Sequence, residues 1–284
     1  MPDFTGFLEE IGEASDALRL LVFGLLWTPQ VKTLLERVPF VRRTYDGWRW
    51  QHPFDREHGV DTSGAIPADD LECDPDLAAH SSPYGGSQPS IVRSCLATLP
   101  DPAEYAFIDL GCGKGRPLLV ASEFPFQRVV GVEMAPRLVE IARQNAAALS
   151  RRRGQHIPIE VQVGDATTTA APAVRVVYFL YHPFDAELTG ALAENIAAQL
   201  GGRLEHAFIV YYNPVHAEVF DRSPHFARWS ARSLPYAADE VGYGPDLEDS
   251  VLVWQTVPGR YPPQPGAGRQ VIIDPEQTRA TVIA

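Results

Sequence analysis

The stretch Phe107-Ile108-Asp109-Leu110-Gly111-Cys112-Gly113-Lys114-Gly115-Arg116 concentrates more chemistry than any other part of this sequence. An apolar, strand-like run delivers an acid and then three glycines at alternate positions into the start of a helix. Lacking Cβ atoms, Gly111 and Gly113 allow a sharp bend and let a ligand lie close against the backbone. A dinucleotide-binding loop would read G-x-G-x-x-G, with the pyrophosphate on the helix N-terminus. Here the spacing is G-x-G-x-G, and Asp109, two residues before the first glycine, would repel a pyrophosphate. The pattern suits a ligand with a cationic amino-acid end.

Two further acids stand where such a ligand would need them. Glu133 ends the run Val129-Val130-Gly131-Val132, and a carboxylate at a second strand tip can accept both hydroxyls of a ribose. Asp165 closes a third strand pattern, placed to accept from an adenine amino group, while the N–H of Ala166 can donate to the ring. Each acid alone is an ordinary cap or loop residue. Three at successive strand tips behind a glycine loop point to S-adenosylmethionine, whose methionyl portion supplies the cationic end.

The elements that must position these residues follow from periodicity. Ala106–Leu110, Val129–Val132, Ile157–Val163, Val174–Tyr181 and Ala207–Tyr212 read as near-continuous apolar strands. Helical patterns separate them: a helix to about Ser122, then Ala135–Leu149, Asp185–Leu200 and a short Val215–Phe220. Strands apolar on both faces, alternating with helices, predict a parallel sheet covered on both sides. Phe226–Ser233 and Ser250–Thr256 predict a late antiparallel pair. The expected fold is α/β, Rossmann-like and doubly wound, with a mainly parallel seven-stranded sheet, a C-terminal antiparallel pair and an N-terminal helical extension. Residues 1–56 read as helices forming a lid or dimer arm, the second starting at Thr28-Pro29. Residues 57–90 are a loop-rich segment contributing to the site, with a short helix over Ser90–Leu99 following. Residues 91–257 form the core, and 258–284 a Pro/Gly-rich extension in which Val271, Ile272 and Ile273 dock as an edge strand.

Through its DLGCGKGR, VVGVE and VGDA segments the chain resembles the class I S-adenosylmethionine-dependent methyltransferases from about Tyr84 to Thr256. It is similar within them to a bacterial group whose fourth strand usually ends FLFNPF and whose fifth ends in a YxNP-like turn. These read here Phe179-Leu180-Tyr181-His182-Pro183-Phe184 and Tyr211-Tyr212-Asn213-Pro214. The resemblance implies cofactor contacts from Tyr84, Asp109, Gly111, Cys112, Gly113, Glu133, Asp165 and Ala166, with S-adenosylhomocysteine as product. It places an acceptor beside Tyr181, Pro183, Phe184 and Asn213, with His182 and Tyr212 catalytic. The glycine loop also looks like that of non-SET histone lysine methyltransferases.

His182 stands where the group has an asparagine. A histidine there can orient an acceptor or take its proton, or it can be a ring packed under the loop and satisfied by a carbonyl. Tyr84 can offer an aromatic face to a sulfonium, worth about 1 kcal/mol, or serve as a turn residue; Gln88 is its weaker companion. Tyr211 and Tyr212 alternate, so at most one faces the site. Asn213-Pro214 can equally be a helix-starting turn, and His206 and His216 read as surface or cap residues. Trp48, Trp50 and Phe54 form an aromatic knot that walls the pocket or packs in the core.

Composition narrows the partners. With 24 Lys and Arg against 36 Asp and Glu, the net charge of −12 argues against duplex nucleic acid as a partner. The triplet Arg151-Arg152-Arg153 reads as a solvated helix end. Three cysteines without C-x-x-C spacing suggest neither disulfides nor zinc and fit a reducing cytoplasm. The run Leu20–Trp27 falls well short of the ~20 residues a membrane helix needs, and the acidic N-terminus does not read as a signal peptide. The expected protein is a cytoplasmic enzyme without a metal, methylating N or O of a small molecule. Where the N-terminal helices act as a dimer arm rather than a lid, it forms a homodimer through them. A protein-lysine methyltransferase and a catalytically silent cofactor-binding module are the alternatives.

Overall fold

The computed structural model describes residues 21, 22, 24–26, 28, 31, 51–67, 70, 71, 80–154, 158–244, 246–274 and 278–283. Most of the expected N-terminal helices, with Trp48 and Trp50, therefore lie outside the described residues. Seven strands form one sheet: β1 Ala106–Leu110, β2 Arg128–Glu133, β3 Ile159–Val163, β4 Arg175–Tyr181, β5 His206–Tyr212, β6 Phe226–Pro235 and β7 Glu248–Thr256. Their order is β3-β2-β1-β4-β5-β7-β6. The first five run parallel, while β7 is antiparallel to both β5 and β6.

Helices α1 Pro53–His58, α2 Pro89–Leu96, α3 Arg116–Ala121, α4 Pro136–Arg153, α5 Ala186–Ala198 and α6 Ala217–Arg222 cover the sheet. Alternation along each strand separates two apolar clusters. Phe107, Phe179, Val210 and Tyr212 face α2, α3 and α4, whereas Ile108, Leu180, Ile209 and Tyr211 face α5 and α6. Local chemistry sets the helix ends. Asp185 caps α5 by accepting from the Leu188 N–H at 3.0 Å, and Gly154 ends α4 in the left-handed conformation. Arg151, Arg152 and Arg153 occupy the exposed last turn of α4, where cations complement the helix dipole. No helix among the described residues is long and apolar enough to cross a membrane.

Two expectations change. Val271–Asp274 (β8) does not extend the main sheet but pairs with Arg279–Val282 (β9) as a separate antiparallel hairpin. The hairpin packs on β6 and β7, with Val282 buried in the cluster shared with α5 and α6. It is held from outside its own strands. Asn213 Nδ2 donates to the Thr278 carbonyl at 2.9 Å, and the Ala280 N–H donates to Asn213 Oδ1 at 2.9 Å. His206 is neither a surface nor a cap residue. It is buried on β5, 3.0 Å from the Tyr105 hydroxyl, because strand alternation turns it into the aromatic layer of Tyr105 and Phe208.

Candidate functional site

At the carboxyl end of β1 the chain turns through Gly111 at φ 78° and Gly113 at φ 53°. The N–H groups of Gly111 and Cys112 both donate to the Val132 carbonyl of β2, at 2.9 and 3.0 Å. The Gly113 N–H donates to Glu133 Oε2 at 2.9 Å, and the Ala135 N–H to Oε1 at 3.0 Å. A carboxylate has about four acceptor sites, so Glu133 keeps capacity for a ligand. Burial raises its pKa against these backbone bonds, which lower it. The glycines are required by close neighbours as well as by conformation: a Cβ on Gly111 would stand 2.8 Å from Pro183 Cβ, and one on Gly113 2.3 Å from the Tyr84 ring.

Over this loop lies a cleft. Tyr84, Asp109, Gly111, Cys112, Gly113, Glu133 and Ala166 line it, as do Tyr181, His182, Pro183 and Phe184. Asp109 is 2% exposed and its Oδ2 has no hydrogen-bond partner. Burial first, and then the Glu133 charge, push its pKa well above the carboxylate range. An unpartnered buried carboxylate oxygen in a cleft is a demand for a donor, which an ammonium group would meet. Cys112 contributes its backbone, since its sulfur turns under the loop against Gly131. Asp165 does not line the cleft, although Gly164 and Ala166 on either side do. Its Oδ1 accepts from the Thr167 N–H at 2.8 Å and the Thr167 hydroxyl at 2.7 Å, forming the turn that presents Ala166.

The other wall is built by pairing two loops. The Ser82 N–H donates to the Pro183 carbonyl at 3.0 Å and the Asp185 N–H to the His80 carbonyl at 3.0 Å. Ser81, Ser82, His182 and Phe184 are shared with a second cavity. That cavity is further lined by Val215, His216 and, from the C-terminal hairpin, Ile273 and Thr278. His182 has φ 41°. Its Nδ1 lies 3.4 Å from the Tyr211 hydroxyl, and its ring centroid 5.5 Å from that of His216. Burial, with a smaller push from His216, lowers its pKa to about 4. The ring is therefore neutral across the physiological range and can accept a hydrogen bond or a proton. The unfolded chain takes up this proton near pH 6.5, so His182 favours folding above that pH and loses that contribution as pH falls towards about 4. NMR titration of the His182 ring, assigned with a His182→Gln variant, is expected to give a midpoint well below 6. A midpoint at 6.5 would show that the ring is not desolvated.

The two tyrosines separate as alternation requires, with Tyr211 directed at His182. Tyr212 is fully buried on the opposite face, its ring tilted against Tyr181 with centroids 4.3 Å apart, and its hydroxyl donates to Asp249 Oδ2 at 2.5 Å. Tyr236 donates to the same oxygen at 2.6 Å, and burial pushes Asp249 up to about 6. Tyr212 therefore supports Tyr181 from behind and is not among the cleft-lining residues. Asn213 likewise lines neither cavity, because its amide holds the C-terminal hairpin. Phe54 is buried in the core. Gln88 precedes α2, and its Oε1 lies 3.0 Å from His52 Nε2.

Sequence reasoning gave no role to Lys114 and Arg116, yet they clasp the preceding segment onto the glycine loop. Lys114 Nζ donates to Asp61 Oδ1 at 2.8 Å and the Ser63 carbonyl at 2.7 Å. Arg116, 3% exposed, donates to Thr62 Oγ1 at 2.6 Å, to the Thr62 carbonyl at 2.8 Å and to the Ser87 carbonyl at 2.9 Å. The Thr62 hydroxyl in turn donates to buried Asp55. The Tyr84 hydroxyl donates to the Thr62 carbonyl at 2.8 Å, fixing the ring over Gly113. The available signal was a pair of cations within a loop otherwise suited to a cationic ligand.

Residues 107–201 match a family model described as a methyltransferase domain. No curated protein sequence matches the chain. Among solved structures, TrmN from Thermus thermophilus is similar at 16% identity and TM-score 0.44, over 60% of this chain and 49% of that one. An RNA methyltransferase from Salinibacter ruber in complex with S-adenosyl-L-homocysteine is similar at 21% identity and TM-score 0.39, over 61% and 94%. The mitomycin 7-O-methyltransferase MmcR is similar at 17% identity and TM-score 0.46, over 88% and 75%. The chain thus spans about half the length of the Thermus protein.

Proposed function

We propose that this chain, which carries a class I S-adenosylmethionine-dependent methyltransferase domain, transfers a methyl group to nitrogen or oxygen of a small molecule in the cytoplasm. The observation that carries this reading is the meeting of two cavities at one wall of Ser81, Ser82, His182 and Phe184. On one side stand the glycine loop, Asp109 and Glu133. On the other is a mostly apolar chamber lined by three histidines, His80, His182 and His216.

When bound, S-adenosylmethionine supplies a methyl group on a sulfonium leaving group, and the protein need mainly align a nucleophile with it and exclude water. Asp109 and Glu133 would hold the cofactor's ammonium and ribose. The Ala166 N–H would face the adenine, and Tyr84 would close over the loop. Neutral His182 would hold the acceptor's N–H or O–H by its lone pair and take the proton as the methyl arrives. Phe184 and the paired segments 80–83 and 182–185 would keep water out. A mostly apolar chamber with a few polar side chains supports a small-molecule acceptor, and the acidic net charge disfavours nucleic acid.

Incubation with methyl-labelled S-adenosylmethionine and host lysate, followed by size fractionation, tests the reading. Label is expected in the small-molecule fraction and is expected to fall sharply in His182→Ala. Label in protein or RNA would overturn the acceptor class, and tight binding without transfer would leave only a binding module. The cofactor assignment has its own check. Glu133→Ala should weaken S-adenosylhomocysteine by about 1–3 kcal/mol, the worth of hydrogen bonds to a charged group, and unchanged affinity by calorimetry would sink it.

A further inference from the structure

Ser87 lies before the stretch that matches the methyltransferase model, in the loop leading into α2. It lines the cleft, is 2% exposed, and its hydroxyl is buried without a hydrogen-bond partner. Two unpartnered buried polar atoms therefore share one cleft: Oδ2 of Asp109, an acceptor, and Oγ of Ser87, which can donate.

Their placement across the sheet separates them from the nucleoside end. Phe107 and the buried side chains of α2 share one cluster, so alternation puts Asp109 on the α2 side of the sheet. Across that face α4 packs on β2 and β3, α3 on β1 and β2, and α2 on α3 and β6. Ser87, at the start of α2, thus lies on the side of β1 away from Glu133 and Ala166. The loop is rigidly held there. Arg116 donates to the Ser87 carbonyl, and a Cβ on Gly86 would stand 2.5 Å from the Arg116 guanidinium. The next turn is fixed by Glu240, which accepts from the Ser90 N–H at 2.8 Å and from its hydroxyl. Three of the five N–H donors of Arg116 are engaged by Thr62 and Ser87, and Arg116 does not line the cleft, so the Ser87 hydroxyl is the unpartnered donor that a ligand carboxylate meets there.

We infer that Ser87 is a cofactor-binding residue, its hydroxyl donating to the α-carboxylate of the methionyl end while Asp109 accepts from the α-ammonium. This rests on the cofactor reading above and adds a contact outside the matched domain. The structure thereby assigns the recognition of a zwitterion to a donor from one segment and an acceptor from another.

Calorimetry on the full chain with two ligands tests it. S-adenosylhomocysteine carries the amino-acid end, and 5′-methylthioadenosine keeps the nucleoside and thioether without it. Ser87→Ala is expected to weaken S-adenosylhomocysteine by about tenfold, as for a hydrogen bond to a charged group, and to leave 5′-methylthioadenosine unchanged. Unchanged S-adenosylhomocysteine affinity would overturn the inference, as would an equal loss for both ligands, which would mark a structural role. Wild-type protein that binds neither ligand would instead sink the cofactor reading itself.

Discussion

Arg116→Met is expected to lower the unfolding free energy by about 3–5 kcal/mol, the usual cost of breaking a buried ion pair from one side. The guanidinium is 3% exposed and Asp55 only 1%, with Arg116 Nη2 and Asp55 Oδ1 3.9 Å apart. The Thr62 hydroxyl bridges them, accepting from Arg116 Nε and donating to the carboxylate. Methionine would fill much of the volume but leave Asp55 without a cation and the Ser87 carbonyl without its donor. Two segments distant in sequence, 52–64 and 84–88, would lose their common anchor. Urea unfolding should show a lower midpoint with an unchanged slope. Arg116→Lys should recover only part of the loss, because an ammonium cannot reproduce the fork reaching Thr62 and Ser87 together. By contrast Arg128, 45% exposed beside Glu160 at 59%, makes a shorter ion pair at 2.7 Å. Its removal should cost no more than about 1 kcal/mol, since water already solvates both partners. A loss at Arg116 as small as that at Arg128 would show that the clasp is not a structural centre.

The same clasp marks where the sequence stopped being informative. The sheet was legible because its signal is local. Phe107-Ile108, Val129-Val130 and Val176-Val177 are apolar on both faces and are punctuated by helix-period segments, which leaves few other packings. The glycine loop and Glu133 were legible because backbone chemistry demands particular residues at particular spacings. Arg116 and Ser87 were not, because their roles depend on residues 52–64 and 84–88 folding back over the loop, a contact with no period and no motif. Asn213 shows the converse error. Its position after a strand tip suggested an acceptor contact, but its amide reaches Thr278 and Ala280, which only the fold of the last residues brings near. Tyr212 failed for a geometric reason. Alternation correctly allowed one tyrosine of the pair to face the site, but nothing in the sequence said which face held His182.

Gly113→Ala is expected to weaken S-adenosylhomocysteine binding by more than about a hundredfold, a larger effect than removing any single ligand contact. Two costs combine. At φ 53° an L-residue is in the left-handed region, disfavoured by about 1–2 kcal/mol. The added methyl would also lie 2.3 Å from Tyr84 Cε2 and 2.5 Å from Cδ2, and overpacking of this kind costs about 1–3 kcal/mol. The ring cannot simply withdraw, since its hydroxyl is bonded to the Thr62 carbonyl and Thr62 is held by Arg116. The loop must move instead, and because the Gly113 N–H bonds Glu133 Oε2, its movement displaces the proposed ribose acceptor too. Gly154→Ala separates the two costs. That residue has φ 65° with nothing within 4 Å of the added carbon, so it bears the conformational penalty alone and should leave ligand affinity unchanged. A double-mutant cycle completes the argument. If the clash dominates, Gly113→Ala should be far less damaging in a Tyr84→Ala background than in the wild type, whereas additive losses would place the whole effect in the backbone. Wild-type affinity in Gly113→Ala would show that the tyrosine does not rest on the glycine loop when the cofactor is bound.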